Sequence, residues 1–307
     1  MNSLQRALLT VLTGSLLLGV LAAQTGQQTN LPNKAGSVKF AVMGDMGTGD
    51  AMQLQTGVEL SAMRDKFPFE FVLMLGDNVY GTQDFSKKFE VPYKTLLDQK
   101  VPFYAALGNH DDQNEVFYKN YNMNGKRYYA FEKGTAKFFV LDSTRIDRPQ
   151  LDWFDKELSS TGSEWKIAFF HHPLYSTGGT HGPEVAVREV VEPILVKYGV
   201  DVVFTGHEHF YERIKPQLGG ITHFISGAGG QLRKGDLHRV DPMAAGYDAD
   251  RSFMLVEIDG PTMYFQSITR TGQVVDSGTI ANVPDPKRST EPSPPISLPP
   301  GPIVTTP

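Results

Sequence analysis

Short apolar runs, each closing on a polar motif, recur along the chain as far as residue 205. They are Val38–Val42, Phe71–Leu75, Phe103–Leu107, Lys137–Leu141, Lys166–Phe170 and Val202–Thr205. Runs this short and rich in β-formers predict buried strands. Helical patterns fall between several of them, over Ala51–Lys66, Pro149–Leu158 and Glu184–Tyr198, with Asp152 as a candidate start for the second. Further on, Thr222–Ser226, Phe253–Ile258, Thr262–Ser267 and Gln273–Ile280 predict consecutive strands, joined by turns such as Asp259-Gly260 and Thr271-Gly272. The pattern predicts an α/β sandwich with mixed sheets and helices outside, and no internal repeat is visible.

The ends depart from this pattern. Arg6 precedes a mostly apolar stretch, Ala7–Ala23, and Val20-Leu21-Ala22 offers small residues for cleavage, so residues 1–23 predict a signal peptide. The stretch is 17 residues long and broken by Thr10, Thr13, Gly14, Ser15 and Gly19, which is short for a spanning helix. An uncleaved anchor is the alternative reading. Either way the folded part is expected outside the cytoplasm, periplasmic or secreted, with no stable membrane span after cleavage. Residues 24–37, rich in Gln, Thr, Gly and Asn, predict a flexible linker. Residues 284–307 carry a dense Pro run with Ser and Thr and predict a disordered tail. One domain, residues 38–283, lies between.

Composition changes the picture only where it restricts chemistry. Apolar residues at 40% and charged residues at 21% suit a globular chain of 307 residues. A net charge of −5 argues against nucleic acid as a partner, because neutralising its backbone needs a basic face. The chain has no Cys. Any metal ligands must therefore be His, Asp, Glu, Asn or Tyr, a set that suits iron, manganese or zinc.

The chemistry is concentrated at strand ends, where open α/β sheets bind ligands. Gly44-Asp45-Met46-Gly47 and Gly76-Asp77-Asn78-Val79-Tyr80 each put a carboxylate after a strand, and the second adds a phenol. Gly108-Asn109-His110-Asp111 adds an amide and an imidazole; His171-His172-Pro173 and Gly206-His207-Glu208-His209 add more imidazoles. Singly, a Gly-Asp after a strand is a turn former more often than a ligand. Together, six of the eight His residues (His110, His171, His172, His181, His207 and His209) fall at strand ends or in the loops after them. His223 and His238 stand outside the set and read as ordinary structural residues.

The order Gly-Asp-x-Gly, Gly-Asp-x-x-Tyr, Gly-Asn-His-Asp, His-x-Pro and Gly-His-x-His resembles the calcineurin-like metallophosphoesterase superfamily. Tyr80 makes the chain similar to the purple acid phosphatases within it, over roughly Val38–Gly230. The resemblance implies a four-layer α/β/β/α sandwich of two mixed sheets with flanking helices, and a metal site at the C-terminal ends of strands. It implies two ions bridged by Asp77. Asp45, Tyr80 and His209 would hold Fe(III), and Asn109, His171 and His207 a divalent Fe, Zn or Mn. His172 is the alternative to His171, although the His-x-Pro spacing favours His171. His110 and His181 match histidines that contact phosphate and leaving group in the small, mammalian-type enzymes, whereas residues 206–213 are closer to the plant type.

The resulting expectation is an acid phosphatase that hydrolyses small phosphate monoesters by direct attack of a metal-bound hydroxide. His181, with His110, would act as general acid. A phosphodiesterase or nucleotide hydrolase on the same ions is the nearest alternative. A non-catalytic binding protein on the same fold is the rival from another class. Oligomeric state is not legible.

Overall fold

The computed structural model describes residues 29–282, except residue 163, and residues 303–305. The predicted signal peptide lies outside the described residues. In chain order the elements are β1 (Val38–Met43), α1 (Ala51–Lys66), β2 (Phe71–Met74), α2 (Lys94–Asp98), β3 (Phe103–Ala105), β4 (Tyr129–Lys133), β5 (Ala136–Val140), β6 (Arg145–Ile146), α3 (Arg148–Ser159), β7 (Trp165–Phe169), α4 (Val185–Lys197), β8 (Val202–Thr205), β9 (Tyr211–Ile214), β10 (Thr222–Ser226), β11 (Met243–Tyr247), β12 (Ser252–Asp259), β13 (Thr262–Thr269), β14 (Val274–Ala281) and β15 (Ile303–Val304). Every predicted strand and helix is present within a residue or two.

The strands form two mixed sheets, ordered β14-β13-β12-β1-β2-β3 and β11-β9-β10-β8-β7-β5-β4. In the first, β1, β2 and β3 run parallel while β12 pairs antiparallel with β1. In the second, β5, β7, β8 and β10 run parallel, β4 and β9 pair antiparallel with their neighbours, and β11 is antiparallel to β9. The sheets face each other through aromatic rings. Phe40 of β1 meets Phe138 and Phe204 edge-on at 5.3 and 6.2 Å, and Phe224 meets Phe265 at 4.9 Å. Such offset contacts favour edge-to-face geometry over parallel stacking. Leu60 and Met63 of α1 join this core, while α3 and α4 cover the other face of the second sheet through Phe154, Leu158, Val187 and Val191. The result is the four-layer α/β/β/α sandwich.

Three expectations need correction. Of the predicted flexible linker, residues 29–37 are described, and the last of these are pinned: Leu31 is buried, and Asn33 and Lys34 donate their N–H groups to Glu257 of β12, each at 2.6 Å. A polar composition concealed this because the bonding groups are main chain. Of the predicted disordered tail, Ile303–Val304 forms β15 against β6, and the N–H of Thr305 reaches Thr144 O; residues 283–302 lie outside the described ones. The second predicted helix is capped by Asp147, whose side chain accepts the Gln150 N–H at 3.0 Å. Asp152 instead pairs with Arg148 one turn away, at 2.6 Å. Among the described residues no helix is long and apolar enough to cross a membrane.

Candidate metal centre

The C-terminal ends of β1, β2, β3, β7 and β8 converge on the seam between the two sheets. Main-chain bonds fix these ends: Gly44 N–H to Ser226 O at 2.8 Å crosses from one sheet to the other, while Leu75 N–H to Met43 O at 3.0 Å and Gly206 N–H to His171 O at 2.9 Å hold neighbouring strand ends within each sheet. Just past β1, β2 and β8, Asp45, Asp77 and His207 take positive φ values of 56°, 52° and 68°. Side chains with a Cβ rarely adopt this left-handed region, at a cost of about 1–2 kcal/mol each. Neighbouring glycines make room for the carboxylates. A Cβ on Gly108 would sit 2.2 Å from Asp77 Oδ1, and one on Gly206 would sit 2.5 Å from Asp45 Oδ2.

The seven predicted ligands fall into two groups joined by a third element. Asp45 Oδ1, Tyr80 OH and His209 Nε2 form a closed triangle with sides of 3.1, 3.2 and 3.4 Å. His171 Nε2 lies 2.9 Å from Asn109 Oδ1 and 3.2 Å from His207 Nδ1. Asp77 stands between them, with Oδ1 3.4 Å from His171 Nε2 and its charge felt by Tyr80 and His209 in the first group. Its other oxygen, Oδ2, is buried without a hydrogen-bond partner.

These residues fit a cationic group. Asp45, Asp77, His171, His207 and His209 are buried, and burial of a carboxylate is costly unless a positive charge compensates. Burial pushes the Asp45 carboxyl well up, and Asp77 adds to this against the pull of His171. Burial, then Asp45 and Asp77, drives the Tyr80 phenol far above its ordinary range. Burial and the surrounding imidazoles hold His207 neutral. Oxygen and nitrogen donors without sulfur suit hard or borderline ions.

His172 is brought into the same place. Its Nδ1 lies 2.9 Å from Ser143 Oγ and its ring centroid 4.5 Å from that of His207, while its Nε2 is buried and unpartnered. The ligand atoms of His171, His172 and His207 lie within 4.8 Å of one another, as do those of Asp45, Asp77 and His171. His171 is the better placed of the pair. Its Nδ1 is held by Leu75 O at 2.9 Å, leaving Nε2 to face both Asn109 and Asp77.

His110 and His181 are exposed at the mouth. The His110 ring lies 4.9 Å from Tyr80, and the His110 main-chain N–H donates to Asp77 Oδ1 at 2.9 Å. The His181 ring lies 4.2 Å from His207 and 6.4 Å from His209. Burial, and then the nearby Arg233 charge, lowers His181 and His209 to about 4 each.

Sequence reasoning assigned no role to three residues here. Asp111 accepts N–H groups from Asn78, Val79 and Gly108 at 2.7, 3.1 and 2.8 Å, fastening the loops after β2 and β3 together. Its place in Gly-Asn-His-Asp was the available signal. Glu208, buried between His207 and His209, accepts the Gly182 N–H at 2.7 Å and the Ser176 hydroxyl at 3.1 Å, so it holds the loop carrying His181. Arg233 joins the site through its N–H, which donates to His209 O at 3.0 Å. Nothing local in the sequence pointed to it. His238 lines the same loop, where a Cβ on Gly179 would lie 2.8 Å from its Nε2, whereas His223 is buried in β10 away from the ligands.

The chain is 26% identical to purple acid phosphatase 17 of Arabidopsis thaliana over 67% of its own length and 72% of that protein's. It is 24% identical to human tartrate-resistant acid phosphatase type 5 over 77% and 89%. Among solved structures, the purple acid phosphatase PPD1 of yellow lupin superposes with a TM-score of 0.65 at 21% identity; it covers 82% of this chain, which spans only 55% of the lupin protein. GAP50 of Plasmodium, described as the anchor in the inner membrane complex, superposes with a TM-score of 0.70 at 18% identity, covering 80% and 89%. A family model, calcineurin-like phosphoesterase, matches residues 38–211, the span from β1 to the start of β9 that holds both ligand groups, His110 and His181. The chain therefore belongs to the calcineurin-like phosphoesterase family.

Proposed function

We propose that this chain is an exported acid phosphatase that hydrolyses small phosphate monoesters at a binuclear centre of Fe(III) and a divalent Fe, Zn or Mn ion. The observation that carries the reading is the pair of donor groups flanking Asp77, with a phenol in one of them. Asp45, Tyr80 and His209 would hold the trivalent ion and Asn109, His171 and His207 the divalent one, with Asp77, whose Oδ2 is buried and unpartnered, shared between them. The ions supply Lewis acidity that activates water and stabilises phosphate charge. The carboxylates and the Tyr80 oxygen would suit a trivalent ion, and the imidazole and amide donors a divalent one. His110 and His181, both exposed, would orient the phosphate, and at acidic pH, where its lowered imidazole is still partly protonated, His181 would pass a proton to the departing alkoxide oxygen. No side chain is phosphorylated. Export rests on the apolar segment 7–23 and its small-residue end.

The test combines spectrum, metal content and rates. A visible charge-transfer band with iron present supports Tyr80 as a ligand, and faster turnover of a monoester than a diester supports the substrate class. Asp77→Ala should lose both ions. His181→Ala should keep them and lose about 10²-fold or more in kcat. A colourless protein with two divalent ions that prefers diesters would move the reading to a phosphodiesterase or nucleotide hydrolase. A non-catalytic binding protein on the same fold would need no such donor groups, and their short mutual distances weigh against it.

A further inference from the structure

The loop carrying His181 does not stand alone. It pairs with residues 236–238 through Gly179 N–H to Asp236 O at 3.0 Å and His238 N–H to Thr177 O at 3.1 Å. The Thr180 hydroxyl adds a bond to Asp236 Oδ1 at 2.7 Å. Together the two loops make one wall beside the imidazoles. Arg233 precedes this pairing and is tied at its main chain to His209.

The Arg233 side chain is incompletely satisfied. Its Nη1 is buried and has no hydrogen-bond partner. Glu208 Oε2, also buried and unbonded, lies 3.8 Å away, close enough for charge attraction but too far for a hydrogen bond. A purely structural arginine at a buried carboxylate would be expected to close that gap, because an unmade bond to a buried charge is expensive. Glu208 cannot move freely to do so. Its Oε1 is committed to Gly182 and Ser176, and Gly178 packs so tightly that a Cβ there would lie 2.3 Å from that oxygen. The ion pair with Glu208 thus leaves the guanidinium incompletely bonded, and the side chain keeps 26% of its surface exposed for a ligand, while its charge reaches both His181 and His209.

We propose that Arg233, held in place by Glu208, contacts a phosphate oxygen of the substrate and selects monoesters over diesters. This rests on the phosphomonoesterase reading above. A monoester offers three unsubstituted oxygens where a diester offers two, and near neutral pH it carries almost one more negative charge. A planar guanidinium with fixed N–H directions is suited to that additional oxygen in a way a point charge is not.

The test uses the metal-loaded full chain with Arg233→Gln, Arg233→Lys and, as a control on the same loop, Arg239→Gln. The exposed Arg239 donates to Gly246 O on β11. Binding of inorganic phosphate at pH 7 is measured by titration calorimetry, metal content by elemental analysis, and kcat/KM with an aryl phosphate monoester and the matching diester. Arg233→Gln should keep both ions, weaken phosphate about tenfold or more, and lower the monoester rate far more than the diester rate. Arg233→Lys should recover part of the phosphate affinity, and Arg239→Gln should match the unmodified protein. Unchanged phosphate affinity, or equal losses on both esters, overturns the proposal. So does loss of metal in Arg233→Gln, which would assign the side chain a structural role. If the unmodified protein hydrolyses only diesters, the substrate reading fails and selection fails with it, while phosphate titration separately judges Arg233 as an anion contact.

Discussion

At His223 the protein buries an imidazole in β10 with neither ring nitrogen hydrogen-bonded. Tyr175 packs on it at 5.0 Å, Arg188 of α4 lies over Tyr175, and the Tyr175 hydroxyl donates to Glu192 of the same helix. Burial, reinforced by the Arg188 charge, lowers His223 to about 3. The folded state thus keeps this group neutral while the unfolded chain takes up a proton below about pH 6.5. Stability from this residue is complete above that pH and declines as pH falls towards 3, where the folded state also protonates. His223→Leu should therefore gain on the native protein by about 2 kcal/mol between pH 8 and pH 5, read as a shift in urea midpoints. The same stability difference at both pH values would show that His223 does not remain neutral in the fold.

Glu257 shows how an element can depend on a residue far from any motif. Fully buried in β12, it accepts the Asn33 and Lys34 N–H groups and the Ser37 hydroxyl, the last at 2.7 Å, and so docks the strand leading into β1. Glu257→Ala should strand those donors and cost roughly 3 kcal/mol, lowering the denaturation midpoint while leaving metal content intact. Loss of metal instead would place Glu257 in the site's support. Nothing in residues 29–37 announced this docking, because the partner lies more than two hundred positions away. The same reason governs what else was hidden. Asp45, Asp77, Asn109 and His207 were legible because each sits in a short motif at the end of its own apolar run. Arg233 and Glu208 act through contacts between loops, which no local pattern encodes. Strand β9 begins two residues after His209 and was absorbed into the ligand motif, and β11, with Gly and Ala in Met243–Tyr247, lacks the β-branched run that marks a strand.

Across the whole molecule, two sheets deliver their strand ends to one seam and surround it with buried carboxylates. Ions that compensate them, as proposed above, would couple their binding to folding. Dialysis against a chelator should lower the melting temperature, and restoring ions at about 100 times Kd should return roughly 2.7 kcal/mol per independent site. A melting temperature indifferent to chelation would mean that the carboxylates are compensated in some other way. The left-handed backbone at Asp45, Asp77 and His207 carries this tension further. Glycine relieves the conformational cost at each of these positions, and at the two aspartates it also deletes a buried charge. A population of variants selected only for heat resistance, with no demand for turnover, would drift first at these three sites. Their persistence in a stabilised descendant would be a record of selection for chemistry, because the main-chain N–H groups of His110 and His207 that the two aspartates accept are a small return on that cost.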